Sequence, residues 1–179
     1  MMKKGATQDI WIGIDLGTQS VRAIAATNDG DIIGWGASPL SSTRVEQRHE
    51  QDPEDWWIAV GHACRKMCRT IDAPHRIRGV AVCGTSGTVL LTDGEGRAVT
   101  PALMYDDGRA AAECNEANAI GAALWEKLGY QRIQAVWSLP KLMWLLRRGG
   151  GPGKRYLSHQ ADFITVRIRR APSCLTRGI

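Results

Sequence analysis

The chain has 179 residues, of which 44% are apolar and 23% charged, and this composition is typical of one ordinary globular domain. The net charge of +5 comes from the end of the chain: from Arg147 onward eight basic side chains stand against one acidic one, so the rest is nearly neutral and gives little attraction for nucleic acid. The apolar runs are far too short to cross a bilayer and no signal core follows Met1, so we expect no membrane partner and a cytoplasmic location.

The first predicted elements are three short strands. Residues 10–14, 21–27 and 32–37 are rich in β-branched and small apolar side chains. A glycine-containing turn at 16–19 joins the first two, and Asn28-Asp29-Gly30 is a strong hairpin signal between the second and third. This pattern predicts a three-stranded antiparallel meander.

A helix and a strand follow the meander. Asp52 and Pro53, with acids in the next turn, indicate a helix start. Apolar residues recur there every three or four positions and predict one buried face, formed by Trp57, Val60, Cys64, Met67 and Ile71. Residues 77–83 then read as a fully buried strand, and a strand placed after a helix suggests a crossover connection.

The remaining pattern predicts two extended segments followed by two helices. Residues 89–92 and a short piece ending near Tyr105 are extended, residues 109–128 form a long helix, and another helix runs from Ser138 to the glycine run at 149–153. With residues 1–8 as a disordered N terminus, the order of elements predicts an α/β domain whose mixed sheet is flanked by helices.

The turn after the first strand carries the first candidate site. The strand delivers Asp15 into a turn containing Gly17 and Thr18, and Arg22 follows closely. Phosphate binding uses uncovered backbone N–H groups, a hydroxyl donor and an acid that holds water around Mg²⁺. The alternative is an ordinary hairpin turn in which Asp15 and Thr18 satisfy backbone donors.

The second candidate site lies at the end of the strand predicted at 77–83. Gly84 and Gly87 flank the hydroxyls of Thr85 and Ser86, which can bond a polyol. In open α/β sheets ligands gather at the carboxyl ends of such strands. The alternative is a plain turn made of Gly, Ser and Thr.

The third candidate site is the segment from Tyr105 to Arg109, where an aromatic residue and two acids precede a long helix. Asp107 could be only a helix cap, which is the usual role of an acid in that place. The adjacent Asp106 has no such structural task, so it is a candidate for binding.

Taken together and in this order, the three motifs resemble the N-terminal domain of FGGY carbohydrate kinases, members of the actin-like ATPase superfamily with a ribonuclease H-like fold. Residues 15–22 resemble the first phosphate motif of that family. Residues 84–93 and 104–109 resemble its two sugar-contacting segments. The resemblance extends through 140–145 and 159–163, so we assign residues 9–164 to this domain.

The resemblance implies roles for individual residues and the cofactors ATP and Mg²⁺. Asp15 would hold the Mg²⁺ hydration shell. The nucleotide phosphates would be bound by Gly17, Thr18, Gln19 and Arg22. The sugar would be bound by Thr85, Ser86, Tyr105, Asp106, Asp107 and Arg109. Thr85 and Ser86 stand where glycerol kinases have Arg-Glu and xylulose kinases Met-His, and this departure disfavours glycerol. Together with the Tyr-Asp-Asp run at 105–107 and the His-Gln-Ala-Asp run at 159–162, they look more like the ribulose and xylulose kinase branch, so we expect a ketopentose as substrate.

The resemblance also implies what these residues cannot do alone. Family members are much longer, with the catalytic base well past position 179 and the adenine pocket in a second domain. We therefore expect no catalytic residue here and no ATP turnover without a partner chain or a second copy. Residues 165–179 form a basic tail unlike the family's continuation, and we hypothesise a disrupted reading frame near residue 165.

Two other functions compete with this interpretation. The first is a non-catalytic sugar- or nucleotide-binding pseudokinase fragment. The second is a ribonuclease H-like nuclease in which Asp15, Asp106 and Asp107 would hold two metal ions. The Gly-Thr turn after Asp15 and the nearly neutral body argue against the nuclease.

Overall fold

The computed structural model describes residues 8–71, 76–148 and 153–170. They form two compact units, one built from the chain up to Leu40 and from Glu54–Gly84, the other from Ser41–Pro53 and from Thr85 onward. The predicted disordered N terminus through residue 7 and most of the glycine run lie outside the described residues. No helix within the described ranges is long and apolar enough to cross a membrane.

The first unit contains a four-stranded mixed sheet. Its strands are β1 (Ile10–Leu16), β2 (Ser20–Thr27), β3 (Ile32–Pro39) and β6 (Ile77–Gly84), in the order β3-β2-β1-β6. The first three pair antiparallel, and β6 pairs parallel to β1. The meander, the crossover and the mixed sheet predicted from the sequence are confirmed.

Helix α1 (Pro53–Cys68) packs against β3 through two glycines. A Cβ atom on Gly36 would lie 2.1 Å from the backbone oxygen of Ala63, and one on Gly34 would lie 3.0 Å from that of Met67. Only glycine allows the helix and the strand to approach so closely.

The buried face of α1 differs from the predicted one by one residue in places. Val60 and Met67 are buried as predicted, but Trp56 and Ala63 fill the positions expected for Trp57 and Cys64, which are only half-buried. The prediction placed Trp57 on the buried face because its side chain is large and apolar. In the structure the close approach of α1 to the glycines of β3 favours a small residue at position 63.

The prediction that residues 77–83 form a fully buried strand is wrong. Strand β6 lies at the edge of the sheet and pairs, among the described strands, with β1 alone. Val80 is 43% exposed, and Cys83 is exposed as well. An apolar run specifies a strand, but whether its faces are covered depends on the neighbouring elements.

The second unit contains a five-stranded antiparallel sheet. Its strands are β4 (Thr43–Val45), β5 (Arg48–Gln51), β7 (Val89–Thr92), β8 (Ala102–Leu103) and β9 (Tyr156–His159), in the order β4-β5-β8-β7-β9. The sequence predicted β7 and the extended piece at β8. It did not predict β4, β5 or β9, because these strands are short and mostly polar.

Three helices accompany this sheet: α2 (Ala111–Lys127), α3 (Ser138–Arg148) and α4 (Gln160–Arg170). The first two agree with prediction within two residues at the ends that are described. One core cluster joins the sheet to α3 through Val89, Leu91, Leu103 and Leu145.

Helix α4 was not predicted, and it crosses the boundary assigned at residue 165. The helix continues to Arg170, whose Nη2 donates to the backbone oxygen of Gly94 at 3.1 Å. Residues 171–179 of the predicted basic tail lie outside the described residues. The hypothesis of a disrupted frame concerns the gene and stays a prediction.

Candidate functional site

The residues singled out from the sequence fall into both compact units. The phosphate-motif residues lie in the first unit: Asp15, Gly17, Thr18, Gln19 and Arg22. The sugar-segment residues lie in the second: Thr85, Ser86, Tyr105, Asp106, Asp107 and Arg109.

The phosphate-motif turn joins β1 to β2 and is open to solvent. Gly17 donates its backbone N–H to the oxygen of Ser20 at 3.0 Å, and a Cβ atom on Gly17 would lie 3.3 Å from that oxygen. Thr18 is half-buried and Gln19 exposed, so apolar side chains of the described residues do not seal the turn. A glycine thus closes the bend, and an anion can approach it.

Asp15 occupies the end of β1, directly opposite Arg22 on β2 and Cys83 on β6. Its carboxylate is 47% exposed, lies 3.4 Å from Arg22 Nη1 and accepts from the Cys83 thiol at 3.4 Å. Partial burial raises the pKa of the Cys83 thiol, and the hydrogen bond to Asp15 raises it further. A single exposed carboxylate beside an open turn fits a Mg²⁺ ion bound through water, since Mg²⁺ usually keeps several of its waters.

In the second unit, Asp107 is a fully buried carboxylate. Its Oδ2 accepts from the backbone N–H of His49 at 2.7 Å and from Arg109 Nη2 at 2.6 Å. Its Oδ1 accepts from the backbone N–H of Arg109 at 3.1 Å and from its Nε at 2.9 Å. The alternative in which Asp107 caps the helix is wrong, because α2 begins at Ala111 and its N-cap is Ala110, which makes no side-chain cap.

Arg109 is the buried cation that pairs with Asp107. Its side chain is 6% exposed, its Nη1 donates to Glu50 Oε1 at 2.5 Å, and its guanidinium lies 5.0 Å from the centre of the Trp144 ring. Two carboxylates and an aromatic face therefore fix the guanidinium.

The side chain of Asp106, unlike that of Asp107, is partly exposed to solvent. Its side chain is 28% exposed, and it lies 2.5 Å from both Arg44 Nη2 and His49 Nδ1. Partial burial acts to raise the pKa of Asp106, but the hydrogen bonds from Arg44 and His49 outweigh it and hold that pKa below its usual value. The expectation that Asp106 has no structural task is wrong.

The loop at 85–88 is held by a side chain from α4. Gln160, fully buried, accepts from the backbone N–H of Thr85 at 2.9 Å. Gly87 has φ +80°, a conformation that favours glycine, and Ser86 is exposed. The loop therefore presents a hydroxyl on a backbone fixed from behind.

Lys141 ties the two sugar segments together. It is fully buried, and its Nζ donates to the backbone oxygens of Gly87 at 3.0 Å and Met104 at 2.5 Å. Burial lowers the pKa of Lys141 to about 8, against the opposing effect of Asp107 and Asp106. A Cβ atom on Gly87 would lie 3.8 Å from the Tyr105 Cα, so the loop and the Tyr105 segment are adjacent.

The sequence analysis assigned no site role to three residues that build this part of the site: Arg44, Lys141 and Gln160. His49 and Glu50 could be expected to edge a sugar cleft from a loop, but an exposed loop histidine was the favoured interpretation, and it is wrong because the His49 side chain is 4% exposed. Lys141 and Gln160 fall in segments that resemble the kinase family, and that signal could have found them. No sequence pattern indicated a role for Arg44, because it lies in a short polar strand.

The nuclease alternative requires clustered metal ligands. Within residues 8–71, 76–148 and 153–170, no group of three or more His, Cys, Asp or Glu side chains is arranged to hold a metal ion. Asp106 and Asp107 are instead paired with Arg44 and Arg109.

Comparison with known proteins identifies the family. The model for the N-terminal domain of the FGGY family of carbohydrate kinases matches residues 10–154. Xylulose kinases from Klebsiella pneumoniae and Escherichia coli (strain K12) are 31% identical over 139 residues and 30% over 142. Each match covers 77% of this chain and 28% of the relative.

A solved structure shows the same fold. The xylulose kinase from Rhodospirillum rubrum superposes with a TM-score of 0.74 at 24% identity, over 87% of this chain and 33% of that protein. The fold is thus the actin-like ATPase fold, an α/β arrangement with a mixed sheet. The chain spans about 28% of the length of its curated relatives. By its matched residues and its fold, it belongs to the FGGY family of carbohydrate kinases and corresponds to their N-terminal domain.

Proposed function

We propose that this chain supplies the sugar-binding and phosphate-binding N-terminal part of an ATP-dependent ketopentose kinase of the cytoplasm. The observation that carries the proposal is the part-exposed Asp106, between the buried Asp107–Arg109 ion pair and Tyr105, whose Cα lies next to Gly87 in the Ser86 loop. Relatives named xylulose kinases favour a pentulose, and the absence of the Arg-Glu pair of glycerol kinases at Thr85 and Ser86 disfavours glycerol.

On the sugar side, the exposed and buried residues have different tasks. Asp106 is held as a carboxylate, so it accepts hydrogen bonds from sugar hydroxyls. Ser86 and Tyr105, both exposed, contribute hydroxyls of their own. Asp107 and Arg109 are buried and paired, and they act by fixing the backbone beneath Asp106.

On the nucleotide side, bound ATP with Mg²⁺ supplies the phosphoryl group that carbohydrate kinases of this family transfer. Asp15 would hold the water shell of Mg²⁺, and the turn at Gly17, Thr18 and Gln19 would bind the phosphates. Arg22, whose side chain is 60% exposed, would supply positive charge to them. Phosphoryl transfer in the whole protein requires a base outside these residues, whether from the same polypeptide, a partner chain or a second copy.

Calorimetric titration tests the sugar site. The purified chain is titrated with D-ribulose, D-xylulose and glycerol, and Asp106→Asn is compared with Glu95→Gln, an equal charge change at an exposed turn of the same unit. We expect a pentulose to bind, glycerol to bind much more weakly, and Asp106→Asn to lose about tenfold in affinity, since it removes a charged hydrogen bond. Binding of glycerol as tight as that of the pentuloses would refute the proposal.

The phosphate turn is tested separately by titration with ATP and Mg²⁺. Asp15→Asn should weaken the binding of Mg·ATP, whereas Asp29→Asn, an acid in the neighbouring hairpin, should not. Equal affinity of the wild-type chain and Asp15→Asn would remove Asp15 from the metal site.

A further inference from the structure

The imidazole of His49 is buried beside Asp106, and the proposed function gives it no role. Its side chain is 4% exposed. Its backbone N–H donates to Asp107 at 2.7 Å, and its backbone oxygen accepts from the N–H of Met104 at 2.9 Å. Strand β5 therefore fixes the ring at a defined place beside the Tyr105 segment.

The β4–β5 register directs two basic side chains at the same carboxylate. Arg44 and His49 are directly opposite each other, and cross-strand pairs of this kind project from the same face. Arg44 Nη2 lies 2.5 Å from Asp106 Oδ2, and His49 Nδ1 lies 2.5 Å from Asp106 Oδ1. Each carboxylate oxygen is held by a different side chain.

The short distance fixes where a proton lies. An unprotonated Nδ1 and a carboxylate oxygen are both acceptors and would repel each other at 2.5 Å, so Nδ1 carries a proton and donates it to Asp106. Arg44 Nη2 is also 2.8 Å from Nδ1, but its hydrogen bond goes to Asp106 because Nδ1 is already a donor.

The other ring nitrogen shows that packing does not explain the histidine. His49 Nε2 is buried and, among the residues that the structure describes, has no hydrogen-bond partner. A buried polar atom without a partner lowers stability. An apolar ring of similar size would fill the space without that cost, so the useful atom is Nδ1.

We propose that His49 is a positioning residue which, with Arg44, orients the Asp106 carboxylate so that its remaining lone pairs accept two adjacent hydroxyls of the sugar. A carboxylate offers about four lone-pair sites, and Arg44 and His49 take one on each oxygen. The backbone N–H of Asp106 also hydrogen-bonds the carboxylate, and the sites that remain face the 28% of the side chain that is exposed, which suits a vicinal diol. This inference rests on the proposed function, because it assumes that a polyol binds at Asp106.

The test compares three substitutions of His49 in the full chain. His49→Phe removes both nitrogens, His49→Asn keeps a donor near the place of Nδ1, and His49→Gln places its donor nearer to Nε2. Two quantities are measured: affinity for D-ribulose and D-xylulose by calorimetry, and the pKa of the Asp106 carboxyl by carbon-13 NMR. His62→Phe, at an exposed position on α1, is the matched control.

We expect His49→Phe to lose about tenfold in pentulose affinity and to raise the pKa of Asp106, because the hydrogen bond to Oδ1 is lost. His49→Asn should restore affinity to within about threefold of wild type, while His49→Gln should not. His62→Phe should change neither quantity. A residue that only fills space would not distinguish Asn from Gln.

Unchanged affinity and an unchanged Asp106 pKa in His49→Phe would overturn the inference, as would equal behaviour of the Asn and Gln variants. If His49→Phe does not fold, the contrast between Asn and Gln decides. If the wild-type chain binds no pentulose, the proposed function fails first. The NMR measurement then decides by itself whether His49 holds Asp106.

Discussion

The Asp107 carboxylate and the Arg109 guanidinium form a buried ion pair, with 0% and 6% of their side chains exposed. Such a pair is costly to desolvate, and its geometry must be satisfied on both sides. Here Asp107 also accepts the backbone N–H of His49, and Arg109 also binds Glu50. At the residue scale, therefore, the Asp107–Arg109 part of the second sugar segment is held by charge pairs and by hydrogen bonds to the backbone.

Removing one member of this pair should be strongly destabilising. Asp107→Asn leaves the Arg109 charge buried with only Glu50, and we expect the free energy of unfolding in urea to fall by about 3 kcal/mol. Glu95→Gln breaks an ion pair with Arg97 in which both side chains are 67% exposed, and it should change little. Equal losses in the two variants would show that burial does not set the strength of the Asp107 pair.

Lys141 makes the stability depend on pH in a predictable direction. Its folded pKa of about 8 lies below the ordinary value of 10.5, so between these values the unfolded chain binds a proton that the folded chain has released. The contribution of Lys141 to the free energy of unfolding therefore rises as pH rises through this window. Below this pH window Lys141 is charged in both the folded and the unfolded chain, so folding bears the full desolvation cost of burying the charge.

Urea unfolding from about pH 7.5 to about pH 10, in wild type and Lys141→Met, checks this prediction. The free energy of unfolding of wild type, relative to that of Lys141→Met, should increase as pH rises. The comparison cancels the opposite effect of Cys64, whose pKa burial raises to about 11. A difference that does not change with pH would mean that Lys141 keeps an ordinary pKa.

At the scale of elements, the closest packing in the first unit is that of α1 on β3. We expect a change from glycine to alanine to have opposite effects on stability at two positions. Gly36→Ala places a methyl 2.1 Å from the Ala63 backbone oxygen, and we expect a loss of about 1–3 kcal/mol in the free energy of unfolding. Gly61→Ala adds a methyl inside α1 with nothing nearer than Arg65 Nη1 at 3.4 Å, and it should stabilise by about 0.5–1 kcal/mol.

Thermal and urea unfolding of the two variants measure these effects. A neutral Gly36→Ala variant would mean that α1 can withdraw from β3 without cost. A destabilised Gly61→Ala variant would mean that the exposed side of α1 has a packing role.

The β4–β5 hairpin shows why some elements escape prediction at this scale. Its strands carry little apolar alternation, and its turn contains Glu46 at φ +52° in place of the usual glycine or asparagine. The hairpin is held instead by distant partners, for example by Gly108, whose backbone N–H donates to the backbone oxygen of Gln47 at 3.0 Å.

At the scale of the whole molecule, the chain corresponds to about 28% of the length of its curated xylulose kinase relatives. From the family resemblance we expect the catalytic base outside these residues. A polypeptide of these residues alone should therefore bind ligands without turning over ATP. A coupled assay of ADP release should show no dependence on pentulose, and sugar-dependent release that Asp15→Ala abolishes would contradict this.

The sequence by itself determined the meander, the starts of α1 and α3 and the parallel crossover, because these depend on local signals: the Asn28-Asp29-Gly30 turn, the prolines at positions 53 and 140, and the periodicity of apolar residues. The family followed from the resemblance of three motifs in order along the chain. That resemblance also singled out the phosphate turn and the residues of both sugar segments.

Only the tertiary structure decided which of those side chains are buried and what they bind. His49 belongs to a short polar strand that the sequence did not predict, yet its ring is 4% exposed, because strand β5 lies between β4 and β8 and meets Asp106. Asp106 and Asp107 are adjacent in sequence and opposite in role. Burial and charge pairing depend on residues some 60 positions away, and no local pattern contains that information.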